Sequence, residues 1–114
     1  MSLPYPIAVL LLLAAMSCGG GAVPHPTEAH LARARARWPD ATAASLERGR
    51  DLYVARCSGC HPLHPPGSQP AARWATVLDQ MAPRAKLTGD ERELVLRYLT
   101  ATAGTGATDP TIRK

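Results

Sequence analysis

Two thiols set three positions apart, with an imidazole directly behind the second, carry the most chemistry in this sequence: Cys57-Ser58-Gly59-Cys60-His61. C-x-x-C-H is the spacing of a c-type haem attachment site. The thiols of Cys57 and Cys60 can add to two haem vinyl groups and give two thioether bonds. His61 then stands where its imidazole can bind the iron from the proximal side. Ser58 and Gly59 are small, so a macrocycle can lie against the backbone. A bare C-x-x-C would say less, because zinc sites and thiol–disulfide exchangers share it. The chain has three cysteines in all, with no second C-x-x-C and no Cys/His pair to complete a zinc site, which favours haem.

The elements that must position this motif can be read from periodicity. Residues 43–56 predict a core helix that enters the motif at its C-terminal end, with Leu46, Gly49, Tyr53 and Cys57 on one stripe. A glycine inside a helix costs about 1 kcal/mol relative to alanine, so Gly49 points to a close helix contact. Pro62-Leu63-His64-Pro65-Pro66-Gly67 cannot continue a helix and predicts a stiff loop. A second helix is expected from about Pro70 to Met81, with Ser68 or Gln69 near its start and Trp74, Val77, Leu78 and Met81 on one apolar face. Pro83 stops it. Thr88-Gly89-Asp90-Glu91 is a T-x-x-E capping box for a last helix, whose apolar residues include Leu94, Val95, Tyr98 and Leu99. Gly104 and Gly106 are expected to release the chain into a tail over 104–114.

The N-terminal part predicts export. Ile7 to Met16 is an apolar run of signal-peptide length, too short to span a bilayer, although Met1 to Pro6 has no Lys or Arg. Ala15-Met16-Ser17-Cys18, followed by three glycines, resembles a bacterial lipoprotein signal over residues 1–17, with Cys18 becoming lipidated; Ala15 stands where that pattern usually has Leu. An ordinary secretory signal cleaved nearby is the competing reading, but it leaves Cys18 as a lone thiol in an oxidising compartment. The expected localisation is the periplasmic side, anchored to the membrane through Cys18 or else soluble there. Residues 18–42 are expected to form a flexible tether. Within it a short helix is possible over Glu28–Trp38, with Leu31, Ala34 and Trp38 in register. Arg33, Arg35 and Arg37 read as a solvated face rather than a docking patch.

Thirteen Lys and Arg against nine Asp and Glu give a net charge of +4. That surplus suits acidic redox partners or anionic surfaces and is too weak and scattered for nucleic-acid binding. There is no Phe. The core is therefore thin, and a covalently held haem would supply a large apolar plate.

Together, Gly49 and Tyr53 before the C-x-x-C-H motif, Met81 twenty residues beyond His61, and Tyr98-Leu99 in the last helix resemble a small single-haem class I c-type cytochrome, over about residues 43–103. The resemblance implies an all-α fold, a small helical domain wrapped around one covalently bound haem c. It implies that the first and last helices cross at Gly49 with Tyr98 packed beside it, and that the Met81 thioether binds iron opposite His61. The alternative for Met81 is a core methionine filling a gap beside Trp74. His64 follows His61 too closely to reach across a porphyrin, and His25 and His30 lie in the leader. Trp74 is expected to pack at the haem edge, with its indole N–H toward a propionate, or else to be an ordinary core residue.

The function expected from these residues is single-electron transfer between redox partner proteins, with no separate catalytic residues. The alternatives are a haem-based enzyme or gas-sensing module with an open sixth position, and a cytochrome subunit of a larger redox complex.

Overall fold

The computed structural model describes residues 23–59 and 62–104. The described residues form four α-helices, α1 (Glu28–Arg35), α2 (Ala43–Cys57), α3 (Ala71–Met81) and α4 (Gly89–Thr102), with a 3₁₀ turn at Pro66–Ser68 between α2 and α3. They contain no β-strand, and the domain is all-α. None of these helices is long and apolar enough to cross a membrane.

Three of the four helices open on a reciprocal threonine cap. The hydroxyl of Thr88 accepts from the Glu91 N–H at 3.1 Å and the Glu91 carboxylate accepts from the Thr88 N–H at 3.0 Å, as T-x-x-E predicts. That backbone hydrogen bond, helped by Arg56, holds the Glu91 carboxyl below the usual range. Thr42 with Ser45, and Thr27 with His30, build the same arrangement with a hydroxyl and an imidazole in place of the carboxylate. Helix α3 begins at Ala71, one residue after the expected start at Pro70, and Pro70 gives it no side-chain cap.

The core is built on α2 against α4. Gly49 of α2 sits directly on α4: a Cβ there would meet the Leu94 carbonyl and come within 2.9 Å of the Tyr98 Cβ. The two backbones therefore touch, which is the close approach that only glycine permits. Around this crossing Leu46, Val95, Tyr98 and Leu99 are fully buried. Helix α3 closes the far side through Trp74 and Leu78, which pack with Leu52, Tyr53, Leu96 and Ala103.

Three expectations differ from the structure. From Val23 onward the segment expected to be a tether is packed on the domain. Leu31, Ala34 and Ala41 are buried with Leu46 and Ala101, and the Arg50 and Tyr98 side chains donate to the carbonyls of Val23 and Pro24. The arginines are also more than a solvated face. Arg33 donates to the Ala101 carbonyl at 2.6 Å, near the C-terminal end of α4, where unsatisfied carbonyls and the helix dipole favour a cation. Arg35 donates to the Ala41 carbonyl at 3.0 Å, and Arg37 and Arg97 lie 4.6 and 5.2 Å from the centroid of the Trp38 ring. Gly104 does not simply release the chain: it forms an isolated parallel bridge with Pro70, donating its N–H to the Gln69 carbonyl at 3.0 Å.

Candidate haem site

Helix α2 ends at Cys57, so the first thiol of the motif is delivered by the last turn of the helix that crosses α4. Cys57 is half-buried and lines a cleft of about 360 Å³ between α2, α3 and the loop that follows the motif. Cys60 and His61, and Cys18 far upstream, lie outside the described residues.

The opposite wall is α3. Its apolar face lines the cleft throughout, with Trp74 and Leu78 buried and Val77 and Met81 half-buried. Met81 thus shares one cavity with Cys57. Leu63, Ala85 and Leu99 add to the apolar lining.

Two aromatic donors fasten the loop after the motif. The Tyr53 hydroxyl donates to the His64 carbonyl at 2.6 Å, and the Trp74 indole N–H donates to the Pro66 carbonyl at 2.9 Å. The rings themselves meet edge to face, with centroids 6.1 Å apart at 80°. Trp74 therefore lines the cleft and belongs to the core at once. Its N–H is directed to the Pro66 carbonyl. Burial pushes the Tyr53 phenol up to about 12, so the hydroxyl remains a donor at neutral pH. His64 lines the cleft from the motif side.

Charge at the cleft is of one sign. Arg56, Arg73 and Arg84 line it, with Gln69 and Gln80 as neutral polar groups and no carboxylate among the described residues. None of these arginines is singled out by local sequence spacing; their convergence depends on how α2 and α3 pack.

The model of the family described as "Dihaem cytochrome c" matches residues 53–112, more than half of the chain, from Tyr53 through the motif and α3 to beyond α4. The chain belongs to the dihaem cytochrome c family. It is a c-type cytochrome, a class that holds haem c covalently and transfers electrons. Comparison with curated proteins and with solved structures gave no match. The family description names two haems, whereas these 114 residues contain one C-x-x-C-H.

The residues present fit such a group. Val77 and Met81 leave apolar surface facing a cleft whose charges are all cationic, the complement of a flat apolar macrocycle that carries carboxylates. Haem iron held there supplies one-electron exchange between its ferrous and ferric states. The protein's own task is to exclude water from that plate, hold its ligands and neutralise its carboxylates.

Proposed function

We propose that this cytochrome carries single electrons through one haem c, attached by thioether bonds to Cys57 and Cys60, with His61 as proximal iron ligand and Met81 as the ligand on the opposite face. The observation that carries the reading is the shared cleft: the last turn of α2 presents Cys57, and the last turn of α3 presents Met81, to the same apolar cavity. A soft thioether opposite an imidazole stabilises ferrous iron and raises the potential. With His61 and Met81 both holding the iron, no position would be left for substrate, and one-electron exchange with a partner would be the chemistry supplied.

The test is the intact mass and pyridine haemochrome spectrum of the protein after export in cells with a haem maturation system. One added porphyrin mass and a two-thioether spectrum are expected. A polypeptide mass alone sinks the proposal, and replacing Cys57 or Cys60 by Ala should give the shifted spectrum of a single thioether.

Export and anchoring form part of the same reading. Residues 1–17 act as a lipoprotein-type signal, and acylated Cys18 holds the domain at the periplasmic face of a membrane, where its donors and acceptors are redox proteins. Cys18→Ser should move the protein from the membrane fraction to the soluble one. A second reading, in which the chain is one cytochrome subunit of a larger redox assembly, draws support from the family's two haems set against the single motif here. Co-purification of a second haem-bearing chain would favour it.

A further inference from the structure

Two side chains meet across the cleft, one from each helix that borders it. Tyr53 of α2 and Trp74 of α3 are both buried, and their rings touch edge to face. Each directs its polar hydrogen to the loop between the helices, the Tyr53 hydroxyl to the His64 carbonyl at 2.6 Å and the Trp74 indole to the Pro66 carbonyl at 2.9 Å. That loop is the covalent path from the C-x-x-C-H motif to α3. Pro66 is fully buried, and a second donor to its carbonyl, the Gln69 N–H, stands 3.5 Å away. Helices α2 and α3 otherwise pack chiefly on α4 rather than on each other. Each aromatic residue also shares a helix face with a residue of the proposed haem site. Tyr53 stands one turn before Cys57, and Trp74 stands two turns before Met81. Met81 is only half-buried, so its place is set by where α3 lies more than by core packing around its own side chain.

We infer that Tyr53 and Trp74 are positioning residues for the iron ligands: by fixing the loop through its His64 and Pro66 carbonyls, they set how closely Met81 faces the motif and so how firmly its thioether holds iron. This rests on the His61/Met81 reading above. A thioether is a neutral ligand on a flexible side chain, so its bond depends on how well the helix behind it is placed. Slack at the Trp74 tie is carried along α3 to Met81, and slack at the Tyr53 tie separates the loop from the helix that ends in Cys57. Without the two donors, states in which Met81 has withdrawn become more populated, and the sixth position opens more often to an outside ligand. If the donors only stabilise the fold, the iron site follows global stability, and the experiment separates these two roles.

The test compares the purified ferric holo-protein with Tyr53→Phe, with Tyr53→Phe/Trp74→Phe, and with Thr27→Ala, which removes the cap of α1 away from the cleft. Both phenylalanine changes keep a ring and delete a donor. Imidazole titrated into the ferric protein reports how often the sixth position is open. Each lost hydrogen bond, at its usual net strength, should tighten apparent imidazole binding about five-fold. The urea concentration at which the near-infrared methionine band fades should also fall further than the midpoint of helix loss. In Thr27→Ala the two should fall together, with imidazole affinity as in the parent. Tyr53→Phe alone decides the matter if the double variant does not fold. Unchanged imidazole affinity in a phenylalanine variant whose urea midpoint has fallen overturns the inference and leaves the ligand reading intact. So does an equal change in Thr27→Ala, because the iron site then follows global stability. A parent protein that lacks the near-infrared band overturns the Met81 reading and the inference with it.

Discussion

Gly49 and Tyr98 meet where α2 crosses α4, and a Cβ on Gly49 would stand 2.9 Å from the Tyr98 Cβ while driving into the Leu94 carbonyl. Neither neighbour can turn aside: one is backbone, and the other is the first atom of a buried side chain. Gly49→Ala gains about 1 kcal/mol of helix propensity but forces two packed helices apart, at a cost of about 1–3 kcal/mol for overpacking and more where backbone must move. A lower melting temperature is the expected outcome, and Gly49→Val should be worse. An unchanged or higher midpoint for Gly49→Ala would show that the crossing is not tight.

Tyr53→Phe removes one hydroxyl while leaving the edge-to-face contact with Trp74 in place. The loss is the bond to the His64 carbonyl, worth about 1 kcal/mol. A urea midpoint displaced by that amount, with the near-ultraviolet dichroism of Trp74 retained, is the expected result. Loss of the dichroic signal instead would mean that the hydroxyl organises the whole aromatic pair.

Alkaline pH should unfold the protein through its two core tyrosines. Burial raises both Tyr53 and Tyr98 to about 12 from an ordinary value near 10. The unfolded chain therefore loses these protons first. The stabilisation is fully present below pH 10 and drains away as the pH rises toward 12. A titration of the tyrosinate absorption should show two phenols ionising late and together with loss of helix. Ionisation of both near pH 10 with the helices intact would contradict this.

Met81→Ala should abolish the near-infrared band of a methionine bound to ferric iron and lower the reduction potential. Because Met81 is only half-buried, the fold should survive the change, and the two signals can be read on a stable protein. Retention of both would assign Met81 to packing beside Trp74.

Much of this architecture was legible in local sequence. The stripe Leu46, Gly49, Tyr53, Cys57 specified a helix running into the motif, and T-x-x-E marked the start of α4 to the residue. What escaped is non-local or chemically disguised. Arg33 reaches the Ala101 carbonyl across 68 positions of chain, and no periodicity within Ala-Arg repeats reports that distance. The caps at Thr27 and Thr42 use histidine and serine as the returning group, outside the Glu/Gln pattern that signals a capping box. The bridge of Gly104 to Pro70 and the convergence of Arg73 and Arg84 on one cleft exist only once α3 is laid against α4. The candidate haem residues are proposed from type and spacing alone, within five consecutive positions.

The pinned stretch from Val23 to Pro24, with His25 beside Glu47 at 3.0 Å, would set the geometry of an attachment through Cys18. Cys18 is five positions upstream of Val23, and a fully stretched chain covers at most about 3.3–3.6 Å per residue, so the slack is roughly 17 Å. An acylated Cys18 would hold this domain on a leash shorter than its own diameter. Such a protein pivots in place against the lipid and waits for its donors and acceptors, rather than ferrying charge between distant complexes.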